Sequence, residues 1–228
     1  MIEAIVIEKP ALKQYGKMVL KMLKRDGLAY TLKVIFKKMI AILIPSTKQE
    51  WFNDEFYYAY SDKVNAVNSF NSEKCETLLK ELNPDLIVLG GSGIIRKNII
   101  AIPTIGILNA HPGLLPKYRG VDTVPWALYH GDTIGATVHF IDEGVDTGKI
   151  ISQSTIDIAD NDTINGLREK AWFVAAKLMA ETLLKIVNNE PIQTASQSKE
   201  DGKQYYKMPK KLLRETEKKL SNRNKHKF

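Results

Sequence analysis

One cysteine, Cys75, stands in 228 residues, so an internal disulfide and a cysteine-based zinc cluster are both excluded. A lone thiol of this kind is most often a small side chain packed on a helix, which is the expectation here. No apolar run approaches the roughly 20 residues needed to cross a bilayer; the longest extends only from Met39 to Pro45. No secretory leader pattern opens the chain, so a cytoplasmic protein is expected. Glycine and proline, at 14 and 9 residues, are too few for a collagen-like or low-complexity chain. The four histidines include no H-E-x-x-H pattern, and His130 and His139 lie at no recognisable ligand spacing from each other or from clustered carboxylates; no metal is expected. Gly90-Gly91-Ser92-Gly93 lacks both the G-x-G-x-x-G spacing and the Walker lysine and serine of nucleotide loops. There is no G-x-S-x-G elbow, and Cys75 has no neighbouring histidine, so nucleophilic serine or cysteine chemistry has no support.

With 44% hydrophobic and 26% charged residues, the composition is that of an ordinary globular protein with one main domain and a small appendage. The net charge of +7 is unevenly spread: segments 13–48 and 202–228 each carry +8, against −9 for the remainder. Two such basic segments admit phosphate, RNA or an anionic lipid surface as partners, but a solvated basic face is the commoner meaning of a charge run and is favoured. DNA is not expected, and self-association is left open.

The opening EAIVIEKP predicts a short buried strand ended by Pro10. Apolar residues at helical spacing predict a helix from about Leu12 until Asp26-Gly27 and a second from about Leu28 to Leu43. Residues 51–60 are aromatic-rich and fit no simple pattern. VNAVNSF predicts a strand leading into a helix with Ser72 as N-cap. The continuous apolar run DLIVLGG suits a parallel strand covered on both faces. A short helix and a strand in TIGILNAHPG follow, then a helix over 123–130, strands over 134–141 and 148–156, and a long helix over 163–188 capped near Asp162 or Thr163. GKQYYKMPKKLL adds a strand and a helix. Alternating strands and helices with short joints predict an α/β fold: an open, mainly parallel sheet with helices on both faces and its site beyond the carboxyl ends of the strands.

Two of those strand ends carry chemistry. The turn after Leu108 supplies Asn109 and His111, then PGLLPKYRG, and the loop before residue 148 reads IDEGVDTG and contains Asp146. An amide, an imidazole and a carboxylate can together polarise a carbonyl and move protons. Taken singly, a turn histidine also serves as a structural hydrogen-bonding residue, and Asp146 before Thr147-Gly148 as an ordinary turn aspartate.

NAHPGLLPKYRG followed about 25 residues later by TVHFIDEGVDTG closely resembles the folate-dependent formyltransferase family. The resemblance runs from Pro84 to Gln153 and extends more loosely back to Ile2 and forward to Asn188. It implies a formyltransferase-like catalytic domain over residues 1–190, with 191–228 as a short basic C-terminal extension. It implies 10-formyltetrahydrofolate as formyl donor and Asn109, His111 and Asp146 as catalytic residues. Asn109 and a protonated His111 would donate to the carbonyl oxygen, with Asp146 raising the imidazole pKa. It places Ser92, Gly93 and Ile95, with Asp142, Glu143 and Gly144, at the folate, and Lys117, Tyr118 and Arg119 beside the acceptor. The glycines at 90, 91 and 93 also suit a tight strand-to-helix turn.

Family members open with a further strand–helix unit, and EAIVIEKP resembles their second strand, so that unit is expected to be missing here. Residues 190–228 are too few and too charged for the C-terminal barrel of methionyl-tRNA formyltransferases. A small phosphorylated amine is therefore the expected acceptor, first a nucleotide-linked amino sugar and second glycinamide ribonucleotide. The alternatives are a 10-formyltetrahydrofolate hydrolase and a non-catalytic binding protein.

Overall fold

The apolar residues at the start of the chain form β1, Ile5–Glu8, as their branched side chains predict. The computed structural model describes residues 2–8, 61–198 and 200–225; Pro10, the helices expected over 12–43 and the aromatic stretch at 51–60 lie outside them. The chain divides into two units, Met1–Leu82 and Asn83–Phe228.

In the first unit β1 pairs in parallel with β2, Val64–Val67, from Ile5 opposite Val64 to Glu8 opposite Val67. Helix α1, Glu73–Leu82, starts where Ser72 predicts: the serine Oγ accepts from the Cys75 amide at 3.3 Å, the bond that satisfies an orphan N–H of the first turn. Cys75 and Leu79 form its buried face. Burial, and then the nearby charge of Glu8, push the Cys75 thiol pKa upward, as suits an inert packed side chain. Asn83, at φ 44, supplies the left-handed residue that commonly ends a helix, and Pro84 follows.

The second unit is built on four strands in the order β3, β4, β6, β7. β3, Leu86–Leu89, pairs in parallel with β4, Gly106–His111, after a crossover through the short helix α2, Lys97–Ile100. β6, Ile134–Phe140, runs antiparallel to β4 and to β7, Ile150–Ile156. A third parallel pair joins β5, Tyr118–Gly120, to β8, Lys203–Tyr205. The α/β class thus holds, with three of the five strand pairs among the described residues parallel. The β6 and β7 edge departs from the parallel pattern for a simple reason. Residues 141–149 are too few for the crossover of a dozen or more that a parallel pair requires.

Helix α4, Ile164–Val187, begins at Thr163, whose Oγ1 accepts from the Gly166 amide at 3.1 Å. Its buried stripe, Leu167, Ala171, Ala175 and Met179, recurs at helical spacing. The two alanines leave room for close approach to the sheet, where Met179 packs with Leu108 and Val138. A second cluster gathers Tyr118, Ile134, Leu167 and Ala171 with Val124 and Ala127 of α3, Thr123–His130, and Leu220 of α5, Lys210–Lys225. β6 is buried along nearly its whole length, which is why IGATVHF lacks a solvent-facing polar alternation. Thr137 and His139 face away from α4 by strand alternation. Thr137 Oγ1 donates to the Gly113 carbonyl at 2.7 Å, so the turn after β4 covers that side. No helix among the described residues is long and apolar enough to cross a membrane.

Candidate active site

Asn109 and His111 are two residues apart on β4, so their side chains leave the same face of the sheet. Antiparallel register sets His139 opposite Asn109 and Thr137 opposite His111. The register of β6 with β7 shifts between Val138 and His139, an irregularity of the kind that re-aims a side chain. The loop after β6 then returns Asp146, at φ 53. Its Oδ2 lies 3.5 Å from His111 Nδ1 and its Oδ1 3.5 Å from His139 Nε2. Asn109 Nδ2 lies 3.2 Å from His139 Nε2. The three residues singled out by the resemblance are therefore assembled in one place, around a fourth side chain, His139.

Hydrogen-bond partners fix the orientation of both rings. A carbonyl only accepts, so His111 Nε2 donates to the Tyr118 carbonyl at 2.8 Å and His139 Nδ1 donates to that of Phe140 at 2.8 Å. His139 Nε2 is then left to accept from the Asn109 amide. This aligns the Asn109 side chain and leaves its second N–H to donate elsewhere. Asp146 is held in turn by the Gly120 backbone N–H, which donates to Oδ2 at 2.8 Å.

The protonation state of His111 departs from expectation. Its side chain is 3% exposed, and burial lowers its pKa, outweighing the opposing pull of Asp146 and the Tyr118 carbonyl. His111 is thus a neutral imidazole at pH 7, and the expected elevation by Asp146 is corrected: loss of water costs the cation more than one carboxylate returns. Burial also works to raise the Asp146 pKa, but hydrogen bonds to the carboxylate, that of the Gly120 N–H among them, bring it below the usual carboxylate range. Asp146 is therefore ionised beside a neutral ring.

This arrangement has a pH signature. A histidine whose folded pKa lies below its unfolded value, near 6.5, binds its proton more readily in the unfolded chain. Stability is then full above that value and falls as the pH drops below it, with a slope of up to about 1.4 kcal/mol per pH unit. Urea unfolding of the wild type and of His111→Asn between pH 7.5 and 5 is expected to show a stability loss in the wild type that the variant lacks. A wild-type stability that rose over that interval would mean that the buried ring is charged.

The two loops assigned to the folate are also brought together. Lys97 at the start of α2 and Glu143 form an ion pair at 3.2 Å. Asp142 Oδ1 accepts from the Gly144 amide at 3.0 Å and from Thr147 Oγ1 at 2.6 Å, so the Asp142–Thr147 turn is closed on itself. Ser92 Oγ donates to the Gly93 carbonyl at 3.1 Å, and Ile95 is buried. A Cβ built on Gly90, Gly91 or Gly93 meets nothing within 4 Å, so this loop borders open space where a ligand can approach the backbone closely. Of the acceptor triplet, Lys117 keeps its ammonium largely exposed, 2.8 Å from Asp132. Tyr118, 1% exposed, stacks on Tyr205 and donates its hydroxyl to Asp132. Burial, first, and the hydrogen bond to Asp132 hold the phenol pKa far above its usual value. Arg119, 4% exposed, spends its guanidinium on the Gln197 side chain and the Ser198 carbonyl.

An α/β sheet that presents an amide, a buried imidazole and an ionised carboxylate at its strand ends defines a class suited to acting on a carbonyl. The chain matches the family described as formyl transferase over residues 29–183, and it belongs to that family. The methionyl-tRNA formyltransferase of Thermodesulfovibrio yellowstonii is 46% identical over 110 residues, 47% of this chain and 36% of that protein. That of Agathobacter rectalis is 39% identical over 54% of this chain and 40% of its own length. The chain thus spans about two fifths of the length of the curated relatives it matches. Among solved structures, the formyltransferase PseJ of Anoxybacillus kamchatkensis superposes with a TM-score of 0.55 at 26% identity, over 69% of this chain and 81% of that one. It was solved in complex with UDP-4,6-dideoxy-4-formamido-L-AltNAc and tetrahydrofolate. The phosphoribosylglycinamide formyltransferase of Bacillus halodurans gives 0.52 at 29% identity, over 58% and 73% of the two chains.

Proposed function

We propose that this chain transfers the formyl group of 10-formyltetrahydrofolate to the amine of a small phosphorylated acceptor, in first place a nucleotide-linked amino sugar and in second glycinamide ribonucleotide. The observation that carries the reading is the meeting of Asn109, His111 and Asp146 at the strand ends. The donor, when bound, supplies a formyl carbonyl activated by its N10. The open backbone of residues 90–93 and the adjoining Asp142–Gly144 turn fit its ring system, with Ser92, Gly93, Ile95 and Glu143 alongside. Asn109 then directs its second amide N–H at the formyl oxygen, where negative charge develops. As the new C–N bond forms and the bond to N10 breaks, the amine must lose a proton and N10 must gain one. His111 Nδ1, facing the Asp146 carboxylate, is the place where that proton can be held in transit. Lys117, whose ammonium is largely exposed, is the member of its triplet that would meet an acceptor phosphate, whereas Tyr118 and Arg119 are buried.

A macromolecular acceptor is the second reading, favoured by the name methionyl-tRNA formyltransferase that the sequence relatives carry. Formyl transfer assayed with UDP- and dTDP-linked amino sugars, glycinamide ribonucleotide and methionyl-tRNA separates the two. Formate release without any amine would replace both with a hydrolase. Binding is tested more simply. At 100 times its dissociation constant, 5-formyltetrahydrofolate is expected to add about 2.7 kcal/mol of stability, and a folded chain whose unfolding temperature does not move with this ligand would defeat the folate assignment.

A further inference from the structure

We infer that Gln197, from the segment that follows α4, is a positioning residue for Asp146; the inference rests on the reading of Asp146 as the carboxylate of the active site. The Gln197 amide nitrogen donates to two carbonyl oxygens of the catalytic loop, that of Asp146 at 3.2 Å and that of Gly148 at 2.5 Å. Carbonyls accept only, so the amide can face them in one orientation alone. Its own oxygen is taken by Arg119, whose guanidinium donates to it at 3.2 Å and to the Ser198 carbonyl at 2.8 Å. Arg119 stands next to Gly120, the residue whose N–H holds the Asp146 carboxylate. The aspartate is therefore clamped twice: its side chain by the β5 backbone, and its main chain by Gln197, which β5 itself orients through Arg119. The segment that carries Gln197 is anchored beside β7 by reciprocal backbone bonds between Ile150 and Ala195, at 2.8 and 2.9 Å.

The clamp answers a local need. Asp146 lies at φ 53, a left-handed conformation that costs an L-residue free energy and persists where surrounding structure over-determines it. A small backbone rotation there would swing the carboxylate away from His111 and His139. Gln197 restrains that rotation without touching either imidazole.

The Gly120 amide proton reports directly on the carboxylate position, and the Val121 amide, bonded to the Tyr205 carbonyl at 3.1 Å, reports on the β5 and β8 pairing nearby. Amide exchange at both sites is to be followed by NMR in the full chain for the wild type, Gln197→Ala and Gln197→Glu. The glutamate keeps the length and the Arg119 contact but has no N–H to donate. Both variants are expected to speed exchange at Gly120 by about tenfold or more while Val121 stays within about threefold of the wild type. Unchanged exchange at Gly120 would overturn the inference, as would equal release of Gly120 and Val121, the sign of general loosening. No turnover is required for this test. A wild-type chain that failed to transfer formyl groups would count against the proposed function, and the exchange ratio would still judge the clamp.

Discussion

Replacing His111 by alanine, or Asp146 by asparagine, is expected to lower the rate constant for formyl transfer by about 100- to 1000-fold, the loss of roughly 3–4 kcal/mol of transition-state stabilisation that removal of one preorganised group produces. The two substitutions fail for different reasons. His111→Ala deletes the ring that can hold a proton at Nδ1, 3.5 Å from the carboxylate. Asp146→Asn keeps an oxygen able to accept from the Gly120 amide, so the loop keeps its anchor while the charge that would stabilise a protonated His111 is gone. The asparagine variant should therefore retain the far-ultraviolet circular dichroism of the wild type and its affinity for 5-formyltetrahydrofolate. Turnover in both variants above about a tenth of the wild-type rate, against the 100-fold or greater loss typical of such groups, would remove these residues from the chemistry.

What could be read in advance follows the range of the physics involved. The long helix α4 and its Thr163 cap depend on residues within a few positions of one another, and the 3.6-residue period exposes both. The strand ends with Asn109, His111 and Asp146 were legible because two ordered motifs lie in continuous sequence. The antiparallel pairing of β6 with β7 is implied by the shortness of 141–149, yet an alternating pattern of elements alone suggests parallel strands. The place of His139 in the site is hidden from the sequence because it comes from register: Asn109 lies 30 residues away in sequence and opposite it in space. The charge of His111 is not legible in the sequence because a motif shows the neighbouring carboxylate, whereas burial arises only when Tyr118 and the turn after β4 close over the ring. Gln197 was equally invisible, being 51 residues from the backbone it holds.

The glycine of the D-T-G loop shows how tightly that closure is drawn. A Cβ on Gly148 would fall inside van der Waals contact of the Phe140 carbonyl oxygen, and Phe140 is tied to the same loop by its own N–H, which donates to the Lys149 carbonyl at 2.9 Å. Backbone cannot turn aside as a flexible side chain would, so Gly148→Ala must open the base of the β6–β7 loop. The expected cost is about 3 kcal/mol, in the range of overpacking and backbone-strain effects. For a chain of this size that lowers the unfolding temperature by roughly 6–12 °C. Activity should fall further than stability does, because Asp146 is two residues upstream and Gln197 grips the Gly148 carbonyl. Gly131 provides the contrast. It lies at φ 75, but a Cβ there meets nothing within 4 Å, so Gly131→Ala should cost only the 1–2 kcal/mol or so of a left-handed L-residue and leave turnover unchanged. Thermal unfolding of the two variants side by side decides the matter: a Gly148→Ala protein as stable as Gly131→Ala would show that the loop is not closed against Phe140, and with it would go the geometry that brings Asp146 to His111.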